Sequence, residues 1–97
     1  MELDPLPTPY QHQLLCEMLE CAFVEIRILS WQGQMEQSAD LADAFHNIPR
    51  EMYDTRIFSW ERFRQMLSVY HAKWRPGPGP GCYNYLNMLE EIRNCRD

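Results

Sequence analysis

Apolar residues recur every three to four positions along most of this chain, the spacing that gathers them on one side of an α-helix, and they nowhere alternate as in a half-buried strand. The first such pattern opens at Thr8. Thr8 suits an N-cap, Pro9 the first helical position, and Gln11 completes a Thr-x-x-Gln capping box. Leu14, Leu15, Met18, Cys21, Ala22, Ile26 and Leu29 then form one stripe. Phe23, Val24, Ile28 and Trp31 lie outside it, so this helix is apolar on more than one side and is expected to be central, touching several neighbours. Gly33 is the predicted stop.

A second helix is predicted from Gln34 to His46, with Met35, Ala39, Ala42 and Phe45 inward and with Asn47 as a left-handed cap. Pro49 then ends the helix and suits a single turn through Met52, followed by a packed loop to Phe58. The third helix starts at Ser59, an N-cap with Glu61 in the first turn and with Phe58 and Phe63 placed as a hydrophobic staple. Trp60, Phe63, Met66, Leu67, Tyr70 and Trp74 make its inner face. Pro76-Gly-Pro-Gly-Pro-Gly81 forbids helix and reads as a spacer. A last helix from about Cys82 to Asn94 turns Tyr85, Leu86, Leu89 and Ile92 inward.

The expected architecture is therefore all-α. It is a small four-helix, bundle-like domain spanning 1–97, with an extended arm at 1–7, three consecutive helices, and a C-terminal helix tethered through the linker at 76–81.

With 97 residues the chain suits one domain whose core leaves little room for a deep cavity, which favours a binding module over a free-standing enzyme. The net charge of −5 comes from 14 acidic and 9 basic residues. It is dispersed, and Lys73 is the single lysine, so the basic patch that leads nucleic-acid binding is missing. No apolar run approaches the ~18 residues of a membrane span. Cys16, Cys21, Cys82 and Cys95 show neither a C-x-x-C pair nor zinc-like spacing. Reduced thiols and a cytoplasmic location are expected, with Cys82 buried on the last helix.

Two sets of residues invite chemistry. Glu25 falls mid-stripe on the first helix, where a carboxylate must be neutralised or hydrogen-bonded. His46, on the apolar side of the next helix, is one candidate partner; an arginine or a tyrosine hydroxyl is another. In an antiparallel pair turning at Gly33, Glu25 and His46 differ in height by roughly 7–8 Å, so their contact requires an asymmetric turn. The second set is Asp40, Asp43 and His46 at i, i+3, i+6, which together with Glu25 has the donor types of a Zn, Mn or Fe site. A solvated acidic face is the plainer reading. His71 is expected at a core edge.

Trp31, Tyr53 and Tyr83 find no place in the predicted core, and Met88 points away from Leu86, so the last helix has two faces to cover. Exposed Trp, Tyr and Met are typical interface anchors. The leading expectation is a non-enzymatic, cofactor-free protein-interaction module: an adaptor, an inhibitor of the immunity or antitoxin type, or a complex subunit. It would bind another protein or a second copy of itself through Trp31, Tyr53, Tyr83 and Met88. The alternative is a metal-binding protein or small metalloenzyme using Glu25, Asp43 and His46.

Overall fold

A computed structural model describes residues 6–76 and 83–95. The described residues contain no strand and form five α-helices. These are α1 (Pro9–Trp31), α2 (Met35–Ala44), α3 (Ile48–Tyr53), α4 (Trp60–Lys73) and α5 (Tyr85–Asn94), with a 3₁₀ turn at Thr55–Ile57. The four longer helices make a small bundle in which the principal contacts run α1 to α2, α2 to α4, α4 to α5 and α5 back to α1. The short α3 lies in the α2–α4 connection.

The starts of α1, α4 and α5 follow from local chemistry. The Thr8 hydroxyl accepts the Gln11 N–H at 3.1 Å while the Gln11 amide oxygen accepts the Thr8 N–H at 2.8 Å. Gln11 does more than cap α1. Its buried Nε2 donates to the carbonyls of Ile92 and Arg93, each at 3.1 Å, tying the start of α1 to the last turn of α5. One side chain thus joins two helix ends. Gly33 turns the chain at φ 76°, a left-handed conformation that costs glycine little. The Ser59 hydroxyl caps α4 by accepting the Arg62 N–H, and Phe58 and Phe63 meet edge to face at 6.4 Å. Asn84 caps α5 by accepting the Asn87 N–H.

The core is built around Leu15, Met18, Ala22, Leu41, Trp60, Leu67 and Tyr85. Phe45 stands between α4 and α5, with its ring edge-on to Phe63 (5.3 Å) and Tyr85 (5.2 Å), a favoured quadrupolar geometry. The buried Glu51 carboxylate lies against the Arg62 guanidinium, which ties α3 to α4.

Several expectations from the sequence are corrected. The inward face of α2 is Ser38, Leu41 and Ala44, leading on to Phe45 and Ile48. Met35, Ala39 and Ala42 are exposed. Leu41 is the largest apolar group in the middle of α2, and burying it outweighs burying alanines. Ser38 enters the seam by donating its hydroxyl to the Ile26 carbonyl at 3.2 Å. Asn47 is right-handed rather than left-handed, because Ile48 and Pro49 begin α3 at once. On α4, Met66 is exposed and Trp74 only half-buried. α5 starts at Tyr85 instead of Cys82. α1 is not enclosed: its principal contacts are with α2 and α5, and Phe23, Val24 and Trp31 face water. The expectations for Cys82, for residues 1–5 of the arm and for most of the Pro/Gly tract lie outside the described residues.

Candidate functional site

Three places on this bundle carry side chains that core packing does not account for. The first is internal. Glu25 is only 5% exposed, and its Oε1 accepts the hydroxyl of the fully buried Tyr85. Burial raises the Glu25 carboxyl above its ordinary range, and the hydrogen bonds from the Tyr85 hydroxyl and the Tyr83 backbone pull it back only in part. Tyr85 is shifted upward as well, by burial first and then by its bond to Glu25, so it stays a phenol and donates. His71 completes the cluster. It stacks on Tyr85 at 5.8 Å, and its Nε2 accepts the Tyr85 backbone N–H at 3.1 Å. Nε2 is therefore the unprotonated nitrogen, and Nδ1 donates to the Trp74 carbonyl at 3.0 Å. The cluster joins α1, α4 and α5 through polar groups that satisfy one another. Beside it opens a polar cleft of about 320 Å³ lined by Glu25, Gln32, Gln37, Tyr70, Trp74 and Arg75, among others.

The second place is the α2–α4 seam. The Trp74 indole N–H donates to Asp40 at 2.7 Å, and Lys73 bridges Asp40 at 3.0 Å and Glu36 at 2.7 Å. These contacts lower the Asp40 carboxyl, the bond from Trp74 most. Gln37 donates to the Tyr70 hydroxyl at 3.1 Å. A second cleft of about 320 Å³, lined by Asp43, Met66 and Val69 among others, runs along this seam.

The third place is the outer face of α1. Counting 100° per residue, Cys16, Glu20, Phe23, Val24, Arg27 and Trp31 fall within a single arc of about 100°, opposite the buried Leu15, Met18, Ala22, Glu25 and Leu29. Phe23 is 52% exposed, Val24 46% and Trp31 71%, with Met35 at 61% just past the turn. The Arg27 guanidinium sits over the Trp31 ring at 4.3 Å from its centroid, a cation–π contact that holds both side chains on the surface.

The expected site residues divide among these places. Glu25 and His46 do not pair. His46 is exposed beyond the end of α2, and the tyrosine hydroxyl brought in by α5 takes the position at Glu25. The donor set of Glu25, Asp43 and His46 is not assembled either, since Glu25 faces inward while Asp43 and His46 face solvent. Among the described residues no group of three His, Cys, Asp or Glu side chains is placed to hold a metal ion. Asp40 is engaged by Trp74 and Lys73.

Of the aromatic and methionine anchors, Trp31 and Tyr53 are exposed, Tyr53 at 94%. Tyr83 and Met88 are instead half-buried against the core, because α5 packs on both α1 and α4 and so covers two of its own faces. The sequence reading missed Phe23, Val24 and Arg27 as surface residues. Their place outside the main stripe is visible in the sequence, but a second apolar side is equally what a second packing partner requires.

No family model, characterised protein or solved structure matches this chain.

Proposed function

We propose that this chain is a non-enzymatic protein-interaction module, acting as an adaptor, an inhibitor of the immunity or antitoxin type, or a subunit of a larger complex. The observation that carries this reading is the outer face of α1, where Phe23, Val24 and Trp31 stand in water along one side of a 23-residue helix. Single exposed apolar residues are ordinary, but several gathered on one helix face mark an interaction surface. Covering each of these half-exposed side chains is worth roughly 1–2 kcal/mol before the costs of association. Trp31 with Arg27 stacked on it is the aromatic–arginine combination that dominates binding hot spots.

A protein partner or a second copy fits this face better than nucleic acid, given the dispersed net charge of −5. No described helix is long and apolar enough to cross a membrane. A cytoplasmic setting belongs to the same proposal and rests on the cysteine spacing.

The test is affinity capture with the wild-type chain and with a Phe23→Ser/Trp31→Ser variant, at low and high salt. A stoichiometric protein held by the wild type and lost by the variant is the expected result. Identical capture by both chains would remove the α1 face from the reading.

A further inference from the structure

We infer that the outer face of α1 docks a second copy of this chain, helix against helix, antiparallel, about a two-fold axis passing between Phe23 and Val24. This rests on the interaction-module reading and names its partner. The charges on the face choose the occupant. Its N-terminal half carries Glu20 and its C-terminal half Arg27, with Phe23 and Val24 between them. A parallel pairing sets Glu20 against Glu20 and Arg27 against Arg27.

The antiparallel pairing places residue n opposite residue 47 − n. Glu20 then meets Arg27 of the second copy, the two Phe23 side chains close one edge of the seam at the axis and the two Val24 side chains the other, and the small Cys16 leaves space for Trp31. Each off-axis contact occurs twice, as an isologous interface requires. The matched turns run from Cys16 to Trp31, roughly 22 Å of helix, with an apolar centre at Phe23 and Val24, an ion pair on either side of it along the axis, and Trp31 against Cys16 at each end. Within one chain Glu20 and Arg27 are seven residues apart, roughly 10.5 Å along the axis, too far to pair with each other. The cation–π contact already holds Arg27 at the face, so little side-chain freedom remains to be lost on docking. A strongly basic or strongly acidic partner would match only one half of this stripe. A second copy matches both.

The experiment is sedimentation velocity on the full chain over a wide concentration range, for the wild type, Glu20→Arg, Arg27→Glu and an equimolar mixture of the two variants. The wild type is expected to dimerise. Each variant alone sets two like-charge pairs across the axis and should weaken dimerisation by about tenfold or more, since 1.4 kcal/mol is a factor of ten. In the mixture one chain offers two arginines and the other two glutamates. Dimers should therefore return to within about threefold of the wild-type affinity. That recovery also demonstrates that both variants fold.

As a second readout, carbodiimide treatment of the Arg27→Lys chain should link position 27 to Glu20 of another molecule. A zero-length reagent cannot bridge the two within one helix. A wild-type chain that stays monomeric, a dimer indifferent to both reversals, or a mixture that does not recover overturns the inference. If the chain is monomeric yet still captures a different protein in a Phe23- and Trp31-dependent way, self-docking falls and the interaction module stands. If neither occurs, both fall.

Discussion

Tyr85→Phe is the sharpest probe of how this bundle holds its one carboxylate at the α1–α5 seam. The substitution keeps the ring, and with it the edge contact to Phe45 at 5.2 Å and the stack on His71 at 5.8 Å. It deletes only the hydroxyl that donates to Glu25. A buried polar group that loses its partner costs about 1–3 kcal/mol, against a total stability of roughly 5–15 kcal/mol for a domain of this size. A loss of about 2 kcal/mol corresponds to a fall in Tm of roughly 8–16 °C. Glu25→Leu/Tyr85→Phe removes both partners together and should be less destabilised than the sum of the two single changes.

The pH dependence gives a second, independent reading. The folded-state Glu25 carboxyl is raised above its value of 4.5, so between that value and the folded one the native state holds the proton more firmly than the unfolded chain. The stabilisation from this linkage is fully present below the unfolded value and is lost as pH rises through the folded value. The stability difference between the wild type and Glu25→Leu should therefore shrink as pH rises from 4 towards 8. Urea unfolding followed by circular dichroism at several pH values measures both effects. A Tyr85→Phe chain within about 0.5 kcal/mol of the wild type, together with a pH-independent difference for Glu25→Leu, would refute the buried carboxyl–phenol pair.

Gln11→Ala should cost about 1–3 kcal/mol, because it removes the acceptor for the Thr8 N–H and the buried donor to the Ile92 and Arg93 carbonyls; hydrogen exchange should show the last turn of α5 opening along with the first turn of α1. Leu41→Ala should destabilise by about 2–5 kcal/mol, whereas Met35→Ala should stay within about 0.5 kcal/mol, and the reverse order in denaturant titrations would mean that α2 is turned the other way. His71→Ala should cost about 1–3 kcal/mol by removing the acceptor for the Tyr85 N–H, and the loss should appear as faster exchange of that amide.

Much of the fold was legible because its signals are local. The capping box at Thr8 and Gln11, the stop at Gly33 and the cap at Ser59 all involve groups within a few residues of one another, and none depends on a tertiary contact. The inner faces of α4 and α5 were legible for the most part, since Trp60, Phe63, Leu67 and Tyr70, and likewise Tyr85, Leu89 and Ile92, repeat with helical period. The face of α2 was not. Its apolar residues are few and mostly alanine, so its rotation depends on what the neighbouring helices offer, and Leu41 prevailed once α1 and α4 had formed its walls.

What the sequence determined by itself was the class: an all-α chain, where most of its helices start and stop, and a carboxylate at position 25 that had to find a donor. Only the tertiary structure decided which donor that was, since Tyr85 lies 60 residues away in the chain and no periodicity relates the two. It also decided that Gln11 would close α5, that Asp40 would be held by Trp74 and Lys73, and that His46 would be left outside. Above all it decided that the second apolar side of α1 stays in water. Hydrophobic spacing records which residues share a helix face, but whether that face is covered depends on how many helices the chain can bring to it. Here α2 and α5 supply α1's principal contacts, and Phe23, Val24 and Trp31 remain as surface.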